Sequence, residues 1–105
     1  MAALKVQIDR RPGEHVVRVK GDLDADTAPT LQATLATELR RKPALIVIDL
    51  RDVAFCDSSG LGALVAVRKR ALEQGTEIVL RSPCDRVRMV LDVTGLAGKV
   101  FAVTE

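Results

Sequence analysis

The chain has 105 residues, 48% of them hydrophobic and 29% charged, the size and balance of one globular domain and not of a disordered chain; its formal charge of +2 is too small to imply nucleic acid by itself. Aromatics are 2% with no Trp or Tyr, so a base-stacking platform for single-stranded nucleic acid cannot be built and no direct nucleic-acid partner is expected. No apolar run approaches the roughly 20 residues of a membrane span, and Met1-Ala2-Ala3-Leu4-Lys5 lacks the apolar stretch of a signal peptide, which points to a cytoplasmic chain without membrane insertion.

Leu4, Val6 and Ile8 alternate with Lys5, Gln7 and Asp9, the period of a half-buried strand. Arg11-Pro12-Gly13-Glu14 reads as a turn and His15–Lys20 as the second strand of a hairpin, ended by Gly21. The acidic loop Asp22-Leu23-Asp24-Ala25-Asp26 leads to Thr27-Ala28-Pro29. Proline in a first helical turn forfeits no hydrogen bond, so a helix starts near Asp26 or Thr27. Leu31, Leu35 and Leu39 form its apolar stripe, Arg40-Arg41-Lys42 suit its C-terminus, and Pro43 stops it.

Ala44 to Leu50 is apolar on successive residues, as in a strand covered on both faces or at least central in its sheet. A second helix opens at Asp57-Ser58-Ser59 and runs to about Glu73, with Leu61, Leu64, Val65 and Leu72 expected inside and Gly75 as its cap. Thr76–Arg81 is a fourth strand. Ser82-Pro83-Cys84-Asp85 has helix-start spacing with Ser82 as cap; Val87, Val90 and Leu91 form the third stripe, Gly95 ends it, and Lys99–Val103 is a short last strand. The order β-β-α-β-α-β-α-β implies crossover connections and a mixed, mostly parallel sheet with helices packed against it, in a single α/β domain over residues 1–105.

Phe55 and Phe101 both lie in apolar runs and are expected in the core, as are Cys56 and Cys84. Two isolated cysteines and the single His15 cannot close a zinc site, so neither a metal nor another cofactor is expected.

The tract Asp57-Ser58-Ser59-Gly60-Leu61-Gly62 carries the functional question. A tight polar turn between a strand and a helix sets two hydroxyls where free backbone amides and the positive end of the dipole point outward. Such a place either binds an anion or is covalently given one. Plain helix capping is the competing account. Against it stand two glycines in the first turn, each weakening a helix by about 1 kcal/mol relative to alanine, and a position beyond the carboxyl end of the central strand, where open α/β sheets hold ligands. No Gly-x-x-x-x-Gly-Lys-Ser/Thr string exists for a phosphate loop. His15 begins an early strand beside a turn and completes no triad. Asp24 and Asp57 as a glycosidase pair would lack the walls of a sugar cleft.

The string Val53-Ala54-Phe55-Cys56-Asp57-Ser58-Ser59-Gly60-Leu61-Gly62 closely resembles the signature of STAS domains, specifically of bacterial anti-sigma factor antagonists. Gly21-Asp22-Leu23-Asp24 followed by Thr27-Ala28 looks like the family's acidic landmark, and Asp92-Val93-Thr94-Gly95-Leu96 with Phe101 is similar to its ending. The resemblance implies a switch protein and not an enzyme. Ser58 would be phosphorylated by the partner, an anti-sigma factor serine kinase; the unmodified form would bind that kinase and free the sigma factor, and a PP2C-type phosphatase would restore it. Partner-binding positions carried over from the motif are Asp22, Asp24, Thr27, Asp57, Ser58, Ser59, Gly60 and Leu61, with Asp24 placed to orient or contact the kinase site and Leu61 either an apolar contact or core. Many members carry a further helix after the last strand, whereas this sequence stops at Glu105. The alternative functions are a docking or regulatory subunit of a membrane transport complex and a small-ligand or nucleotide sensor.

Overall fold

The computed structural model describes residues 3–98 and 100–105. Its elements are β1 (Lys5–Arg11), β2 (Glu14–Leu23), α1 (Ala28–Arg40), β3 (Leu45–Cys56), α2 (Ser58–Gln74), β4 (Glu77–Arg81), α3 (Asp85–Val93) and β5 (Ala102–Thr104). The strands lie in chain order across one sheet. β1 runs antiparallel to β2, and the remaining pairs are parallel. The expected mixed, mostly parallel sheet is therefore the one formed. Lys99, where the last strand was expected to begin, lies outside the described residues.

Alternation along each strand decides which side becomes the core. Val17 and Val19 of β2, Ile46, Ile48 and Leu50 of β3, and Ile78 and Leu80 of β4 join one buried cluster with Leu31, Leu35 and Leu39 of α1 and Leu61, Leu64 and Val67 of α2. The intervening residues face the other way. Val16 and Val47 are buried there without joining that cluster, and Asp49 accepts from Arg81 Nη2 at 3.0 Å. β3 is thus central but backed by helices on one face only; its unbroken apolar run reflects neighbours within the sheet. α3 packs against β3, and its Val87 and Leu91 close the core with Phe101.

Several elements differ from the sequence expectation. Gly21 does not end β2: the strand continues to Leu23, and β3 lengthens beside it to Cys56, with register shifts between Arg18 and Lys20 and between Gly21 and Asp22. The charged pair Arg51-Asp52 hid this extension, because the shifts rather than strict alternation return Val53 to the core. Within α2, Val65 and Leu72 are 39% and 60% exposed, while Gly60, Ala63, Val67 and Ala71 are buried. The helix lies close to the sheet and α1, so its inner face selects small side chains. Phe55, expected in the core, is 41% exposed. Ser82 is not the cap of α3. It adopts a left-handed backbone (φ 54°) and donates its amide to Thr104 O at 2.7 Å, which leaves Cys84 as the N-cap. Cys84 is itself only half-buried, its thiol 3.2 Å from Val53 O.

One ionic cluster ties the hairpin to α1. Glu38 is 0% exposed and accepts two hydrogen bonds from Arg10, at 3.0 and 2.9 Å. His15, expected to be exposed or half-buried, is instead buried with Nδ1 2.9 Å from Glu38 Oε1. That contact has the distance but not the geometry of a hydrogen bond. The register explains the meeting, since Arg10 stands opposite His15. The Arg10 hydrogen bonds hold the Glu38 carboxyl below its ordinary value, outweighing the burial that raises it. A depressed carboxyl contributes stability above the unfolded-state pKa and loses it as pH falls through the folded one. Glu38→Gln should therefore cost about 1–3 kcal/mol near neutrality and flatten the acid limb of the stability profile. Urea denaturation at a series of pH values measures both.

Candidate functional site

The carboxyl ends of β2 and β3 meet at one edge of the sheet. Leu23 pairs with Cys56 in the last rung, and Asp57 donates its amide to Leu23 O at 3.0 Å. The chain then turns directly into α2. Asp57 is the N-cap, in extended conformation, and its Oδ1 accepts from the amides of Ser59 at 2.9 Å and Gly60 at 3.1 Å. Two of the amides left free by helix geometry are thereby answered by one carboxylate oxygen.

Gly60 is held by packing. A Cβ there would lie 2.7 Å from both Leu23 Cβ and Leu23 O and 2.9 Å from Cys56 Sγ. No side chain fits without moving the end of β2. Gly62, two residues further along the helix, would place a Cβ with nothing within 4 Å and is exposed. The two glycines thus have different causes: the sheet requires the first, and nothing within the domain requires the second.

Ser58 and Ser59 are both exposed, and among the described residues neither hydroxyl makes a hydrogen bond. Capping uses Asp57 alone, so the serine side chains are surplus to the helix end. Cys56, just before the turn, is buried; burial first, and the Asp57 charge second, push its thiol up to about 11. It remains protonated near neutrality and offers no nucleophile. His15 pairs with Ile46 at the opposite end of β3, roughly 30 Å of strand away at about 3.3 Å per residue.

The acidic loop sits beside this turn because β2 ends beside β3. Asp24 Oδ1 accepts from the amides of Asp26 at 3.0 Å and Thr27 at 3.1 Å. Thr27 is buried; its hydroxyl donates to Asp22 O at 2.6 Å and accepts from the Asp24 amide at 3.0 Å. Asp22 is half-buried and stands opposite Phe55. Of the positions the motif singled out, Asp22, Asp24, Asp57, Ser58 and Ser59 lie together on this edge with at least part of each side chain accessible. Thr27, Gly60 and Leu61 lie behind it. Leu61 is 8% exposed and belongs to the core, which removes the apolar contact as its role. Sequence reasoning missed Leu23, whose carbonyl and Cβ brace both the turn and Gly60. Its place inside the Gly-Asp-Leu-Asp string was the available signal.

The sequence profile of the STAS domain matches residues 5–105. The anti-sigma-B factor antagonist of Listeria monocytogenes is 32% identical over 95 residues, covering 90% of this chain and 83% of that protein. Among solved structures, an anti-sigma factor antagonist from Mycobacterium paratuberculosis is 32% identical with a TM-score of 0.81, over 96% of this chain and 85% of that one. The anti-sigma factor antagonist SpoIIAA in its unphosphorylated form is 27% identical with a TM-score of 0.76, over 96% and 89% of the two chains.

The packing yields opposite expectations for the two glycines. Gly60→Ala should destabilise by about 1–3 kcal/mol through overpacking. Gly62→Ala should stabilise by up to about 1 kcal/mol through helix propensity. Chemical denaturation of the two variants beside the parent chain distinguishes them.

Proposed function

The chain belongs to the STAS domain family, and from that premise we propose that it is an anti-sigma factor antagonist switched by phosphorylation of Ser58. The unmodified form binds an anti-sigma factor that is also a serine kinase and so releases the sigma factor. Transfer of phosphate to Ser58 ends the binding, and a PP2C-type phosphatase reverses it. The role is regulatory, and the chain itself carries no catalysis. Relatives named as anti-sigma factor antagonists, one of them described in its unphosphorylated form, support the reading.

The single observation that carries it is the division of labour at the start of α2. Asp57 occupies the Ser59 and Gly60 amides, and the Ser58 hydroxyl is left exposed and unbonded. A phosphate adds a charge of about −1.5 to −2. At a helix N-terminus that charge is tolerated by the dipole, so the domain stays folded. Two nearby amides are already taken by the Asp57 carboxylate, so the phosphate keeps most of its demand for solvent. Pressing a partner onto it, beside Asp57 and the Asp24 loop, strands like charges out of water and costs several kcal/mol. Binding is lost while the scaffold is kept.

No helix among the described residues is long and apolar enough to cross a membrane. The proposed partner surface is the polar edge formed by Asp22, Asp24, Asp57, Ser58 and Ser59, with Gly62 leaving room for close approach.

Incubation with the cognate kinase and ATP should place phosphate on Ser58, and Ser58→Ala should accept none while still binding. Ser58→Asp should weaken binding by about 100-fold, equivalent to about 2.7 kcal/mol, with its thermal midpoint nearly unchanged. Phosphosite mapping and calorimetric titration measure these. Parent-like binding by both the phosphorylated chain and Ser58→Asp would sink the charge switch.

A further inference from the structure

The face of the sheet turned away from α1 and α2 carries a surface the switch does not use. Lys5 of β1 stands directly opposite Lys20 of β2, and Gln7 opposite Arg18. Alternation puts these side chains on the face opposite Val17 and Val19, and all four are exposed. Among the described residues, Lys5, Arg18 and Lys20 have no ion-pair partner. Like charges directly opposite in an antiparallel pair repel and weaken the sheet. The fold gains nothing from that pairing.

The shape points the same way. Between Arg18 opposite Asp49 and Lys20 opposite Asp52, β3 carries one residue more than β2. Such a bulge bends the strand and re-aims its side chains. Lys5, Gln7, Arg18, Lys20 and Asp52 line an open hollow of about 360 Å³ here. Two residues along β2 from Lys20, Asp22 stands opposite the exposed Phe55. Three residues along β3 from Asp52, a reach an extended segment of a few residues covers, Phe55 is 41% exposed.

We propose that this hollow docks an extended acidic segment of a protein partner, its carboxylates on Lys5, Arg18 and Lys20 and an apolar side chain against Phe55. Charge complementarity selects an acidic occupant, since the cations outnumber Asp52 and are not neutralised internally. A small molecule fits poorly, because such ligands are held where most of their surface is enclosed, and this face is open. A nucleic-acid backbone would bring phosphates against Asp52 and find one aromatic ring to stack on. The proposal is independent of whether Ser58 is phosphorylated.

The test is an NMR titration of the ¹⁵N-labelled full chain with a short Glu-rich synthetic peptide bearing one Leu. A Lys-rich peptide of equal length and a short single-stranded DNA serve as comparison arms. Shifts are expected at Lys5, Gln7, Arg18, Lys20 and Phe55 with the acidic peptide, and Lys5→Glu/Lys20→Glu should lower its affinity about tenfold or more. Lys5→Glu alone should raise the melting temperature, because it faces Lys20, and still weaken binding; a purely structural role for Lys5 would not lower affinity while raising stability. Absence of binding, shifts confined to other basic segments such as Arg68–Arg70, or an affinity unchanged by the double charge reversal would overturn the proposal. Equal binding of the DNA through the same residues would overturn its assignment to a protein partner.

Discussion

The close approach of Gly60 to Leu23 and Cys56 governs the geometry of this domain's working edge. A helix following a parallel strand can begin at many heights and tilts; here a Cβ at Gly60 would lie 2.7 Å from Leu23 Cβ and Leu23 O and 2.9 Å from Cys56 Sγ. That contact seats the first turn of α2 on the last rung between β2 and β3. The Asp57 amide bond to Leu23 O and the Asp57 cap then follow from the same seating. The serines project outward because the residues on either side of them are pinned, one by hydrogen bonds and one by packing. The exposed hydroxyls thus rest on a rigid support made of the buried Gly60, Leu23 and Cys56 and the half-buried Asp57.

How much of this was legible beforehand depended on whether the relevant force acts locally. Element order, the parallel sheet and the start of α2 rest on hydrophobic period, proline and glycine punctuation and capping chemistry, all of which are written in short windows. The prolongation of β2 and β3 past Gly21 and Leu50 was not legible, since each strand is extended only by the other and both shift register on the way. The inner face of α2 was misjudged for a related reason. Size suggested Val65 and Leu72, but the tight packing of α2 on α1 and the sheet admits Ala63, Val67 and Ala71. Phe55 illustrates the limit of composition: an aromatic ring in an apolar run lands outside because a register shift turns it there. At the site, the serines and Asp57 stood out by residue chemistry, whereas the buried standing of Thr27 and Leu61 is a property of the assembled edge.

The two faces of the sheet follow different electrostatic rules. On the helix-backed side, the buried carboxylate of Glu38 is answered by Arg10 and approached by His15. On the open side, Asp49 is matched by Arg81 in the centre, but toward β1 the cations stand together. A lone charge inside would be ruinous, while crowded cations in water cost little. That asymmetry is why charge density can vary freely on one side, and why conspicuous clustering there carries information about what the surface meets.

The sulfur of Cys56 adds one more consequence. It lies immediately before the capping aspartate, and burial with the neighbouring carboxylate pushes its pKa up to about 11. Peroxides and disulfides react with thiolates, and the fraction present at neutral pH is on the order of one in ten thousand at such a value. The thiol beside the Ser58 turn is thus kept in its unreactive, protonated form by the same packing that seats the helix.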